Sequence, residues 1–385
     1  MTPARVLAAA RDLAPTIAAR AAEVEAARRL PADLARQMAE AGIFRLVIPR
    51  ALGGIEAPPN EYFDIVRLLA QADGSVGWCA MIGATSGLPA AYLPKAEAAE
   101  VYGDPLTITG GVYAPTAKAV LKGDSYHLAG KWKWASGSQN CRWLMGGAVV
   151  LQDGQPVLGA NGAPETRMLF FPAGEATLHD TWYAAGLAGT GSLDVEARDV
   201  VVPVARSVAL SSDKPVRGGP LYAFPVFGLL ALSIGAVGLG LARGALDDVR
   251  ELSGVRVPMG SRRPMAERAT VQAAYAEAEA LYRAAAAFFE NAVARAYAAA
   301  SNGGALDTAL RAELRLAATH ATRTGAKVTQ ICWDLAGGSA VFRDGTLQRR
   351  FRDAHVATQH MMIAPATYEL TGRALLGLPT DTTTL

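Results

Sequence analysis

The residue periodicity of this 385-residue chain changes twice, and that constrains its fold more than any other feature. From residue 4 to about 100, apolar residues recur at helical spacing, as in LPADLARQMAEAGIFRLVIP and EYFDIVRLLAQAD, with breaks such as ALGGIEAPPN between segments. At about residue 106 the pattern turns to alternation, as in LTITGGVYAPTAKAVLKGDSYHLAGKWKWAS, with Gly-Asp and Ala-Gly turn signals. It persists through RWLMGGAVVL, RMLFFP and LDVEARDVVVP. After RSVALSSDKPVRGGP, long helical patterns return over about 224 to 253, 264 to 300, 304 to 336, and from near Gln348. Helix stripes and sheet faces each need a partner to bury against. The order therefore predicts a helical domain over 1–105, a small antiparallel β domain over 106–207, and a four-helix bundle over 208–385.

One stretch tests whether this is a water-soluble fold. FPVFGLLALSIGAVGLGLA, Phe224 to Ala242, is uncharged and long enough to cross a bilayer. It holds four glycines, lacks aromatic or basic anchors at both ends, and is flanked by amphipathic sequence, so it is expected to be a buried helix of the bundle. Overlapping its end, GLGLARG (238–244) matches a dinucleotide-binding spacing only loosely and has no strand before it, so it reads as packing.

Charge narrows the partners. With 37 basic and 35 acidic residues the net charge is +2, and no run of like charge marks a surface for nucleic acid or an anionic membrane. Cys79, Cys141 and Cys332 are odd in number, far apart and without CxxC spacing, as in proteins of a reducing compartment. The N-terminus scatters charges through MTPARVLAAARDLAPTIAARAAEVEAARRL, with no basic start followed by an apolar block, so a cytoplasmic location is expected.

Few motifs carry chemistry on their own. There is no Walker loop, HExxH or nucleophile elbow. His127, His179 and His320 are isolated, and His355 and His360 at i, i+5 share a helix face poorly, so no metal site is expected. GGVYAPTAKA (110–119) and KWKWASGSQNCRW (131–143) place hydroxyls and amides beside aromatics at strand ends. Such an arrangement suits a flat heteroaromatic ring, with Trp132 or Trp134 against its face and Ser136 on a ring nitrogen. A hairpin with aromatic core residues has the same spacing. Gly-Thr-Gly-Ser in DTWYAAGLAGTGSLDVEARDVVVP fits either a phosphate cradle or a tight turn.

Taken in order, LPADLARQMAEAGIFRLVIPRALGG, ADGSVGW, KWKWASG, DTWYAAGLAGTGS…DVVVP and LAGGSAVFRDGTLQRRFRDAHVATQH resemble the acyl-CoA dehydrogenase superfamily over essentially the whole chain. The resemblance implies a mainly α protein: an N-terminal helical domain, a middle antiparallel β-barrel or sandwich, and a C-terminal four-helix bundle. It also implies a homotetramer with flavin bound between domains and across a subunit contact.

Two chemistries compete within that superfamily. Acyl-CoA dehydrogenases commonly carry a glutamate shortly after the Arg-Asp pair, because a carboxylate must take a proton next to a thioester. This chain has QHMMIAP there, and Glu369 comes too late. The other branch, the oxygenase components of two-component flavin-dependent monooxygenases, takes FADH2 or FMNH2 from a separate reductase and uses O2 to form a flavin C4a-hydroperoxide. ADGSVGW and LQRRFRDAH are similar to this branch, which often has a histidine where His360 stands.

By that resemblance His360 and Ser136 are the catalytic candidates. His360, with a pKa near neutral, takes or manages a proton, and Ser136 hydrogen-bonds flavin N5. Tyr113, Thr116, Trp134, Ser136, Arg263, Gly337, Gly338 and Arg352 are the implied flavin contacts. The glycines lie in AGGSA (336–340), which is alternatively a helix C-cap. Trp78, Ser86 and Met361 are the implied substrate pocket, with Trp78, Trp134 and Met361 keeping water out. Phenol-hydroxylating relatives often place a histidine after the Gly-Trp stretch, but GWCAMIGATSG offers only Thr85 and Ser86. The implied substrate is therefore a small aromatic or heteroaromatic, indole-like molecule, or an amine. An FAD-dependent acyl-CoA dehydrogenase and a flavin-free structural or regulatory oligomer are the competing readings.

Overall fold

The computed structural model describes residues 1–159, 162–303 and 306–385. Six helices precede the sheet: α1 Pro3–Ala19, α2 Ala21–Ala27, α3 Ala32–Glu40, α4 Pro59–Ala72, α5 Gly74–Thr85 and α6 Lys95–Tyr102. Among the described residues eight strands follow: β1 Thr109–Lys122, β2 Ser125–Ala135, β3 Trp143–Gln152, β4 Gln155–Pro156, β5 Thr166–Pro172, β6 Ala176–His179, β7 Leu193–Pro203 and β8 Ser207–Val208. The chain closes with α7 Pro220–Ala223, α8 Val226–Val255, α9 Ala269–Ser301, α10 Thr308–Ala336, α11 Thr346–Ala357 and α12 Ala366–Leu375. Residues 304 and 305, the expected start of the third bundle helix, lie outside the described residues.

α8 is the apolar stretch read above, and 83% of its most apolar window is buried inside the fold. It is a core helix, packed between α10 on one side and α4 on the other. Close packing needs its glycines: a Cβ on Gly238 would lie 2.8 Å from Cα of Thr322 on α10. The Tyr62 hydroxyl on α4 meets Ser233 Oγ on α8 at 3.0 Å, so the N-terminal helices and the bundle share one core.

The sheet corrects one expectation. It runs β6-β7-β2-β1-β3-β5-β8, but β1 and β3 pair in parallel, from Thr109 opposite Trp143 to Val120 opposite Leu151. β2 returns antiparallel to β1, and only residues 136–142 separate its end from β3. So short a link keeps the chain at the same end of the sheet, and β3 must leave in the direction of β1. That link carries Ser136.

Candidate functional site

The link is held from two sides. Asn140 Nδ2 donates to the Leu30 carbonyl at 2.8 Å, tying it to the N-terminal helices, and Gly137 N donates to the Thr190 carbonyl at 2.8 Å. Ser136 is buried between them, 5% exposed. Its Oγ accepts from Trp78 Nε1 at 3.1 Å and lies 2.6 Å from Ser192 Oγ. Ser192 Oγ lies 2.6 Å from Thr190 Oγ1, which donates to the Leu187 carbonyl at 2.7 Å. Leu187 is itself anchored: its N–H donates to Asp353 on α11 at 2.5 Å, and its carbonyl also accepts from Trp182 Nε1 at 3.1 Å. Burial, together with the neighbouring Asp73 carboxylate, pushes the Asp353 carboxyl up to about 7.

Trp78 joins this hydroxyl cluster to His360. Asp73 caps α5 by accepting from Val76 N at 2.9 Å, which fixes where the helix starts and hence where Trp78 projects. The indole lies 5.9 Å from the His360 ring, centroid to centroid, tilted by 60°. His360 follows α11 and caps a short 3-10 turn, its Nδ1 accepting from Met362 N at 3.2 Å. A neutral imidazole that accepts at Nδ1 carries its proton on Nε2. Burial, and next the Arg315 guanidinium, lower its pKa from the ordinary 6.5 to about 4.

This corrects the expected role. His360 is not poised near neutrality as a base; it is a neutral ring with an Nε2–H to donate. In an NMR titration its ring signals are expected to shift near pH 4, and an inflection near 6.5 overturns that assignment. Because its folded pKa lies below the unfolded one, this group stabilises the fold above about pH 6.5 and that contribution is lost as pH falls toward 4.

The two tryptophans of KWKW part company. Trp132 is 1% exposed, stacks on Phe171 at 5.9 Å and donates its indole N–H to the Gly147 carbonyl at 2.8 Å. A Cβ on Gly146 would come within 2.2 Å of its ring, so the indole fits only against a glycine. Trp132 is core, not a ring-binding face. Trp134 is 70% exposed with φ +65°, in a left-handed conformation that costs a bulky residue roughly 1–2 kcal/mol. An aromatic ring held out to solvent on strained backbone, two residues from a buried hydroxyl, is the arrangement expected of a platform for a flat ligand. The cavity beside Ser136, lined by Leu30, Phe44, Cys79 and Cys141, has about 10 Å³, room for one water and no ring.

The other expected site residues divide as well. On β1, Tyr113 is partly exposed and packs edge-on to Phe227, while the exposed Thr116 donates to the Lys131 carbonyl at 2.9 Å. Arg263 is exposed in the segment between α8 and α9. Gly337 and Gly338 are exposed just after α10, Gly337 with φ +54°. Arg352 donates to Gln348 within α11, to the Ala185 carbonyl and to Glu25 at 2.5 Å; all three nitrogens are engaged, and the last two hold α11 to the 185–192 loop and to α2. Ser86 is buried, and its hydroxyl donates to the Ile82 carbonyl as that of Thr85 does to Met81, so the proton of each is spent within α5 and its C-cap. Met361 is 77% exposed, and like Trp134 it shields nothing within the single chain. The His355 ring lies 4.2 Å from that of Phe351, tilted by 43°, and its Nδ1 bonds the Phe351 carbonyl, a packing role. Glu369 is exposed on α12.

Sequence reasoning missed Arg315 and the function of Thr190 and Ser192. Arg315 is 4% exposed and donates to the Met362 and Thr384 carbonyls. Its signal was an arginine on the buried stripe of α10 that includes Ala312, Ala318, Thr319 and Thr322. Thr190 and Ser192 stood in the Gly-Thr-Gly-Ser stretch, but nothing local reveals that Ser192 meets Ser136, 56 residues away.

Known proteins resemble this chain over most of its length. The acyl-CoA dehydrogenase N-terminal domain matches residues 4–96 and the acyl-CoA dehydrogenase C-terminal domain residues 232–365. An indole-3-acetate monooxygenase of Pseudomonas putida is 32% identical over 361 residues, 93% of this chain and 90% of that protein. The flavin-dependent monooxygenase oxygenase subunit HsaA of Mycobacterium tuberculosis is 30% identical over 97% of this chain and 96% of its own. Its crystal structure matches 100% of both chains with a TM-score of 0.92 at 29% identity. XiaF from Streptomyces sp., solved with FADH2 and glycerol, gives a TM-score of 0.89 at 25% identity over 98% of this chain and 96% of that one.

Proposed function

The chain belongs to the acyl-CoA dehydrogenase family, among the oxygenase components of flavin-dependent monooxygenases, and from that premise we propose that it oxygenates a small aromatic or heteroaromatic, indole-like molecule. Its cofactor is reduced flavin, FADH2 or FMNH2, delivered by a separate reductase. Bound reduced flavin supplies the electron pair that activates O2, so that one oxygen atom enters the substrate and the other leaves as water.

The observation that carries this reading is the line from exposed Trp134 through buried Ser136 and Trp78 to His360. It offers an aromatic face, then a hydroxyl at a fixed point beside it, then a neutral N–H donor. A flavin ring needs the first two and an oxygenated substrate needs the third. Trp134 and Ser136 hold the ring system, with Tyr113 and Thr116 alongside on β1. Arg263 supplies charge for phosphate, and the backbone at Gly337 and Gly338 accommodates the cofactor tail of a neighbouring copy in a homotetramer. Trp78 walls the substrate, Met361, exposed in the single chain, covers it in the assembled tetramer, and His360 Nε2–H stabilises negative charge developing on the substrate. Arg352, bound to Glu25, is not part of this set. Three free cysteines support the cytoplasm as the site of action.

The dehydrogenase reading requires a carboxylate base in the site, whereas the stretch after the Arg-Asp pair presents His360 and Glu369 is exposed on another helix. The test is to supply the protein with chemically reduced FAD or FMN, isotopically labelled O2, and indole or a simple phenol. One labelled oxygen atom per product molecule is expected. A product without label overturns the proposal.

A further inference from the structure

The hydroxyl cluster at Ser136 has a direction. A carbonyl oxygen only accepts, so at 2.7 Å from the Leu187 carbonyl Thr190 spends its single proton there. Thr190 can then only accept from Ser192 at 2.6 Å, which spends the Ser192 proton. Ser192 in turn can only accept from Ser136 at 2.6 Å, which spends the Ser136 proton. At the other end, Trp78 Nε1 only donates, and it donates to Ser136. The chain therefore runs Trp78 to Ser136 to Ser192 to Thr190 to the Leu187 carbonyl, with no choice at any step. Its far end is held by the Asp353 and Trp182 contacts to Leu187. Ser136 is left with one lone pair and no proton for any further partner.

We infer that this relay makes the site choose between the redox forms of its cofactor, with Ser192 and Thr190 as positioning residues that hold Ser136 as an acceptor. The inference rests on the reading that flavin N5 meets Ser136. Reduced flavin carries a proton on N5 and donates; oxidised flavin has only a lone pair there. An acceptor Ser136 bonds the first and opposes the second, so the oxygenase takes up reduced flavin and sheds the spent oxidised form.

The experiment measures dissociation constants of both forms of FAD and FMN, the reduced form anaerobically, for wild type, Ser192→Ala and Thr190→Val. Thr190 does not touch Ser136, and valine keeps its shape. Losing either link frees the Ser136 proton to turn toward the ligand. The preference for reduced flavin is expected to fall about tenfold or more in both variants, with tighter binding of the oxidised form. By linkage the reduction potential of bound flavin drops by about 30 mV per tenfold, a readout that mere loosening of the fold does not give. Variants that bind reduced flavin as wild type does, with an unchanged ratio, overturn the relay alone. A wild type that binds neither form overturns the flavin reading and the relay with it.

Discussion

His360→Ala is expected to lower turnover about 10²–10³-fold, the usual cost of removing one preorganised donor from a site where charge develops. Reduced-flavin affinity should stay close to wild type, because the ring reaches the cluster at Ser136 only through Trp78. The physical basis is the tautomer: Nδ1 accepts from Met362 N, so Nε2–H is the edge left for a bound molecule. A ring with a pKa of about 4 is a poor base at neutral pH but a competent neutral donor. His360→Gln separates these roles, since glutamine keeps an N–H near the Nε2 position and cannot carry a proton. Recovery to within about tenfold of wild type identifies a donor, in line with a single neutral hydrogen bond; a glutamine variant as slow as alanine shows that proton transfer is required.

The second large effect falls on the fold. Trp132→Ala is expected to cost about 3–5 kcal/mol, as for any large aromatic removed from a close-packed core, and also to orphan the Gly147 carbonyl. Trp134→Gly, two residues along, is expected to cost nothing and to gain up to about 1 kcal/mol, because glycine accepts the left-handed backbone that tryptophan occupies under strain. The same variant should weaken reduced-flavin binding roughly tenfold through loss of a stacking face. Thermal unfolding and flavin titration of the two proteins check this pair of opposite outcomes. Equal destabilisation by both substitutions would sink the assignment of Trp134 as a platform.

These tryptophans also show where sequence reading stopped. Residues two apart in a regular strand face the same side, so Trp132 and Trp134 belonged together on that rule. The pairing of β2 with β7 shifts register between Trp132 and Ala135, and Trp134 sits in that irregularity with positive φ. One indole goes into the core and the other out. A bulge depends on how the neighbouring strand is fed in, which no local pattern encodes.

What the sequence determined by itself was the order of the three units, the burial of the apolar helix α8, and Ser136 and His360 as candidates. Periodicity is a property of neighbouring residues, and recurring stretches carry the family likeness. Only the tertiary structure decided the parallel pairing of β1 with β3, the neutral state of His360 beside Arg315, and the closing of a hydroxyl chain through Thr190 and Ser192. Each arises where segments far apart in the chain meet. A hydrogen bond's direction and a histidine's charge are set by whatever lies within a few ångströms, and in this fold those neighbours come from the β2–β3 link, the 187–192 loop, α5, α10 and the turn after α11.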